Sequence, residues 1–220
     1  SLPMKKKEWV FTNNLEDRRT YLVEVGYKCY CLQTMGGNEI SLAEEVNITH
    51  KEALALPFLR ITHKSIMGIK STYQKVLLPG YVFLFLPENM NPSIIRHGMY
   101  GFRFLTNMDD GSFALSGGDK VYAEWVFNNG GIIGMSKAIR INKTVKIISG
   151  PLFNMVGKIK EYSKKNRNCR IEITLFNRLI SMWLPFQWVT EAPEMEEEAK
   201  KEEEKRDNID YSEVFVKSDD

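Results

Sequence analysis

The sequence predicts an α+β protein in two parts, an N-terminal α/β sandwich followed by a small five-stranded β-barrel. Three observations carry that prediction. β-prone runs alternate with helical segments as far as Phe127, only short strands separated by turns follow Arg140, and charge divides along the chain in the same way. Residues 191–220 hold 13 acidic and 5 basic side chains, a net of −8, which leaves +10 on residues 1–190. Between Arg140 and Thr190 ten basic residues face only Glu161 and Glu172, a net of +8. Such a field concentrates a polyanion, although charge alone does not say which one.

The expected organisation is an N-terminal extension over 1–27, an α/β domain over 28–130, a linker over 131–139, a barrel over 140–190 and an acidic tail over 191–220. In the extension, Trp9 to Phe11 and Tyr21 to Val25 are β-prone runs around polar residues 13–20 and read as an added hairpin. Lys28 to Thr34 has strand spacing, and Gly36-Gly37 then leads to Asn38, a candidate N-cap for a helix from Glu39. Leu54 to Lys70 leads through a polar turn to Leu77–Leu86, whose nearly continuous apolar character predicts a strand buried on both faces.

Asn91-Pro92 places a helix start at Ser93. Gly101 to Thr106 reads as a further strand, and Asp119 to Phe127 as a helix with Val121, Trp125 and Val126 on one side, stopped by Gly130-Gly131. The result is a mostly antiparallel sheet with helices packed against it. Five strands are then expected at Val145 to Ile148, Val156 to Tyr162, Arg170 to Phe176, Leu179 to Leu184 and Trp188 to Thr190. Within about fifty residues they bury an apolar face most economically as a small closed barrel. After Ala192-Pro193 the Glu/Lys-rich composition favours a solvated tail.

Enzymatic chemistry lacks residues to carry it. Cys29, Cys31 and Cys169 make no CxxC pair and leave an odd thiol, against both a zinc site and a disulfide framework. His50, His63 and His97 lack metal-ligand spacing, and the Gly36-Gly37 and Gly117-Gly118 pairs lack the rest of a phosphate-binding loop. No catalytic residue, metal or cofactor is therefore expected. A charged start from Lys5 to Glu8 without a following apolar run, and no apolar stretch long enough to span a bilayer, give the expectation of a cytoplasmic monomer without membrane contact.

Two segments are more specific. The first is Leu78-Pro79-Gly80-Tyr81-Val82-Phe83. The second runs from Val145 to Ile159 and contains Ser149-Gly150-Pro151 and Gly157-Lys158. The second resembles a KOW motif, a strand, a Gly-Pro turn, a loop and a glycine opening the next strand, with Gly150 and Gly157 expected to supply backbone angles that a side chain forbids. The first resembles the central strand of the NusG N-terminal domain. The order also matches that family: Cys29 to Leu32 as first strand, Gly37 and Glu39 in the turn and helix, PGYVF centrally, Phe102 to Leu105 next, and KOW last. Together these cover Lys28 to Thr190.

The resemblance implies a transcription elongation and antitermination factor whose NGN domain docks on the clamp helices of the RNA polymerase largest subunit. The matching positions here are Leu78, Pro79, Tyr81, Phe83, Phe102 and Phe104. Gln33 is polar where specialised relatives are often aromatic. In the family the KOW domain binds a small-subunit ribosomal protein, a termination factor or RNA, and Phe176-Asn177-Arg178 matches its Phe-Gly-Arg turn with Asn for Gly. The +8 charge favours RNA, with Lys158, Lys160, Lys164, Lys165, Arg167 and Arg170 clustered on one hairpin and Tyr162 among them to stack on an unpaired base. Divergence and the extra end segments resemble the specialised paralogues of the RfaH, LoaP and UpxY kind, which act on particular operons through an RNA hairpin or non-template DNA. The alternative is a KOW module of translation, which accounts for the basic barrel and leaves PGYVF unexplained.

Overall fold

The protein is described by a computed structural model over residues 6–106 and 110–189, so the acidic tail at 191–220 lies outside the described residues. In chain order the elements are helix α1 (Asn13–Val25), strand β1 (Tyr27–Thr34), helix α2 (Glu39–Thr49), strands β2 (Leu54–Pro57), β3 (Leu59–Ile66), β4 (Ile69–Val76), β5 (Tyr81–Pro87) and β6 (Phe102–Phe104), and helix α3 (Gly117–Asn128). Strands β7 (Ile132–Ile133), β8 (Ser136–Ile141), β9 (Thr144–Ser149), β10 (Ile159–Ser163), β11 (Asn168–Leu175) and β12 (Arg178–Trp188) follow. This is a mixed α+β fold.

An all-apolar strand needs cover on both faces, and β5 has it, since Val82 to Leu86 are fully buried. It lies inside a four-stranded sheet of order β2-β5-β1-β6 in which every neighbour is antiparallel. Helices α1 and α2 pack against β2 and β5, and α3 against β1. A second sheet, β4-β3-β7, is the β3–β4 hairpin with β7 added in parallel.

The extension departs from expectation, because residues 13–20 form most of α1 rather than the middle of a hairpin. Thr12 caps that helix by accepting from the Leu15 amide at 3.3 Å, and Leu15 and Leu22 enter the core. Arg18 Nη1 donates to the carbonyls of Asn47, His50 and Ala53 at 2.6, 3.2 and 3.1 Å, which ties the extension to the end of α2. Trp9 is buried, with its indole donating to the Gly130 carbonyl at 2.8 Å. Three smaller differences concern local chemistry. Pro92–Ile94 is a single 3-10 turn, Leu77 to Gly80 turn into β5 rather than belonging to it, and Val121 is exposed while Trp125 and Val126 are buried.

The C-terminal sheet has order β10-β11-β12-β8-β9. Strand β8 begins inside the segment expected as linker and pairs in parallel with β12, which runs unbroken through Trp188. The expected separate strand at 188–190 is therefore the end of β12, and β8 takes the fifth place. The ladder is open between β9 and β10, whose connection is a 3-10 segment, Phe153–Lys158, where the sequence suggested an early start to β10. The core face is the alternation in β11 of Cys169, Ile171, Ile173 and Leu175.

The two glycines of the second motif differ. Gly150 has φ +93°, and a Cβ there would lie 2.7 Å from the Ser136 Cα, so only glycine fits. Gly157 lies outside the left-handed region and faces open space, so its expected backbone role is not found. Ser136 is fully buried and its hydroxyl accepts from the Leu152 amide at 2.9 Å, which fastens the Gly150-Pro151 turn to β8.

Candidate functional site

Three of the residues that carried the family resemblance in the N-terminal half, Gly37, Glu39 and Gly80, meet at one buried carboxylate. Glu39, 2% exposed, accepts from the Gly37 amide at 3.0 Å and from the Gly80 amide at 2.7 Å. Gly80 has φ +83°, and a Cβ there would come within 2.9 Å of the Thr34 carbonyl. This junction fixes the turn that delivers Tyr81 to the sheet. It uses the Glu39 carboxylate rather than Asn38, whose side chain makes no cap.

Strand register separates the six candidate docking residues. Tyr81 and Phe83 stand opposite Gln33 and Cys31, while Phe102 and Phe104 stand opposite Thr34 and Leu32, so alternation puts the two aromatic pairs on opposite faces of the sheet. Phe83 is fully buried, Leu78 and Phe102 are each 7% exposed, Phe104 and Tyr81 are half-buried, and Pro79 is exposed. Phe83, Leu78 and Phe102 are thus core residues. Pro79 and Tyr81 still share one rim, bordering a basin of about 690 Å³ with Gln33, His97, Phe102 and Arg103.

Tyr81 is the centre of a contact with the C-terminal sheet. The Phe176 ring stacks on it at 5.5 Å and 20°, and lies 6.2 Å from Phe83. The Arg178 guanidinium sits over the Tyr81 ring and donates to its hydroxyl. Gln33 Nε2 donates to the same hydroxyl at 3.0 Å, and its Oε1 accepts from Arg103 at 2.7 Å. Phe176 and Asn177, with φ +51° and +57°, form the two-residue turn between β11 and β12. The left-handed requirement read from Phe-Asn-Arg is present at Asn177. A bulky Phe in that region is strained, and Asp119 holds it by accepting from the Phe176 amide at 2.9 Å. Trp125 adds a bond from its indole to the Pro151 carbonyl at 3.0 Å.

The expected RNA-contacting set is also divided. Lys158, Lys160, Lys164, Lys165 and Arg167 are exposed, the last three around the β10–β11 turn, where Lys164 donates to the Lys143 carbonyl. Arg170 is engaged: it binds Glu161 at 3.2 Å and Glu172 at 2.6 Å, and those two carboxylates raise its pKa, Glu172 first. Tyr162 stands opposite the buried Cys169 and is itself exposed, at 37%.

A second contact with the C-terminal sheet lies at the far end of the seam. There β3 packs beside β12, and Arg60 Nη1 donates to the Trp183 carbonyl. Burial lowers the Arg60 pKa, with Tyr73 partly opposing it. Asp119 and Arg60 were not singled out from sequence for these contacts, because each depends on how the two parts of the chain meet.

Among the described residues no group of three or more His, Cys, Asp or Glu is placed to hold a metal ion, and no helix is long and apolar enough to cross a membrane. No family model matches the chain, and no curated protein matches it. A solved structure described as domain interaction in Thermotoga maritima NusG is similar to 72% of this chain and 93% of that one, at 21% identity and a TM-score of 0.38. At that score the likeness adds nothing about function.

Proposed function

We propose that this chain is a NusG-type transcription elongation factor: a non-catalytic protein that binds RNA polymerase through the α/β unit and nucleic acid through the basic C-terminal sheet. The observation that carries this reading is the way both sequence motifs are built. Gly37 and Gly80 are both held by the buried Glu39 carboxylate ahead of Tyr81, and Gly150-Pro151 occupies a turn that excludes any other residue at Gly150. Each motif falls in its own sheet. The docking surface is the rim around Pro79 and Tyr81 rather than all six positions, because Leu78, Phe83 and Phe102 belong to the core. The cytoplasm is where such a factor works, and promotion of antitermination on particular operons is the specialised form of the activity.

Phe176 lies on Tyr81, so a polymerase helix that reaches this rim displaces the Phe176-Asn177 turn or binds beside it. The test is capture of purified core RNA polymerase by the full chain. Wild type is expected to bind, and Tyr81→Ala to bind at least about tenfold more weakly while keeping its circular dichroism, since truncating a central interface aromatic typically costs about 2 kcal/mol. Normal binding by a folded Tyr81→Ala variant would overturn the assignment of the rim. Phe83→Ala is a poor probe because it opens the core.

A further inference from the structure

We propose that the far end of the seam, between β3 and the β10–β11 turn, is a nucleobase pocket that takes one unpaired base of a single strand. The proposal rests on the reading of the basic turn as a nucleic-acid contact and adds what that contact recognises. A cavity of about 240 Å³ is lined by Arg60, Ile61, Thr62, His63, Asn166, Asn168 and Pro185. Three buried side-chain polar atoms lack a hydrogen-bond partner among the described residues: Arg60 Nε, Thr62 Oγ1 and Asn168 Oδ1. All three belong to residues of this one cavity. Folded proteins pair nearly all such atoms, so three orphans among the residues that line one cavity point to a partner from outside the chain.

The chemistry of the set narrows the ligand. Arg60 Nε is a donor, the Thr62 hydroxyl donates and accepts, and the Asn168 amide offers a carbonyl or, turned over, an amino group. An anion wants donors alone, whereas the edge of a nucleobase presents donors and acceptors side by side. Arg60 Nη1 is already committed to the Trp183 carbonyl, which fixes the guanidinium plane and leaves its Nε edge for the ligand. Arginine forks favour the paired acceptors O6 and N7 of guanine, so guanine is the base assigned. Asn168 stands opposite Pro185, which has no amide hydrogen to offer, and this local gap in the ladder is one reason the position has spare polarity.

Size and surroundings agree. The volume is below the roughly 300 Å³ at which pockets for drug-sized ligands begin, and suits one base rather than a larger molecule. Exposed His63 borders the same cavity. The exposed Lys164, Lys165 and Arg167 stand on the turn that also carries Asn166 and Asn168, where the phosphates of a strand entering the pocket would run.

The experiment is a fluorescence anisotropy titration of the full chain with labelled single strands about eight nucleotides long, a length within the usual range for one small binding domain. All-uridine RNA is compared with the same strand carrying one central G, A or C, and a matched DNA set separates the two backbones. Wild type is expected to prefer the G strand about tenfold. Thr62→Val and Asn168→Ala should each erase that preference without changing the salt dependence, and Thr62→Ser, which keeps the hydroxyl, should retain it. Lys164→Gln with Lys165→Gln should weaken binding to every strand, flatten the salt dependence and leave the preference intact. A wild type without base preference, or a preference that survives Thr62→Val, overturns the pocket while the lysine result upholds the nucleic-acid reading. Failure of every strand to bind overturns both.

Discussion

The two ends of the seam between the α/β unit and the C-terminal sheet are built in opposite ways. At the α3 end the strained Phe176 amide is met by Asp119, the Trp125 indole by Pro151, and the Tyr81 hydroxyl by Gln33 and Arg178. At the β3 end Arg60 Nε, Thr62 Oγ1 and Asn168 Oδ1 are buried without partners among the described residues. One end has the character of a fastening, in which aromatic stacking and completed hydrogen bonds hold a turn that the backbone alone would disfavour. The other holds polarity in reserve. A chain that completes its bonds so fully at one end has no general difficulty in pairing buried groups, which makes the other end informative.

The largest expected effect breaks the fastening. Phe176→Ala removes the ring stacked on Tyr81 and tilted against Phe83, and should lower stability by roughly 2–3 kcal/mol in urea unfolding, less than a fully buried Phe because the ring is half-exposed. A loss below about 1 kcal/mol would mean that the two ends do not differ in strength.

How far the sequence reveals this arrangement depends on whether a feature is local. The apolar run from Tyr81 to Leu86 in β5, the α2 start after Gly37, and the strand expected from Arg170 to Phe176 are written in neighbouring residues and appear close to where pattern places them. Helix α1 had a local signal as well, Thr12 as cap and Glu16 in the first turn, but only Leu15 and Leu22 are buried along it, too few to outweigh the β-prone Tyr21 to Val25. Strand β8 was hidden because Ser136 and Lys137 look like loop. Ser136 is buried only because Gly150, far along the chain, leaves room for it. The division of Tyr81 and Phe83 from Phe102 and Phe104 rests on register, and nothing local decides whether Leu32 or Gln33 faces Tyr81. The β3 pocket is wholly non-local.

A pH measurement sharpens the comparison by asking how tightly each sheet is closed. Cys169 lies on the core face of β11, and burial raises its thiol from 9.0 to about 12. A raised thiol pKa leaves stability fully present below pH 9, and loses it as pH climbs toward 12, because only the unfolded chain readily gives up the proton. Each such thiol should remove roughly 1 kcal/mol at pH 10 relative to pH 7.5, measured as urea unfolding under reducing conditions. Cys29, which burial also raises to about 12 with Glu124 adding to it, provides the matching thiol in the four-stranded sheet. Cys169→Ala should shrink the alkaline loss by about as much as Cys29→Ala. If Cys169→Ala changes nothing, water reaches the core face of β11, and the C-terminal sheet is less tightly closed there than the four-stranded sheet.

The smallest expected effect is the most telling about the polar end. Thr62→Val replaces a hydroxyl by a methyl of nearly the same size, and a buried hydroxyl without a partner is destabilising relative to an apolar group of that shape. The variant should therefore be as stable as wild type or more so, by about 0.5 kcal/mol in urea unfolding. At the α3 end no equivalent gain is available, since each polar group there has a partner to lose. Were Thr62 a structural residue, its removal would cost about 1 kcal/mol, as for any broken buried hydrogen bond. A gain in stability joined to a loss of base preference is the pattern expected of a residue retained for binding, because selection for function tolerates a locally destabilising group that folding alone would have replaced.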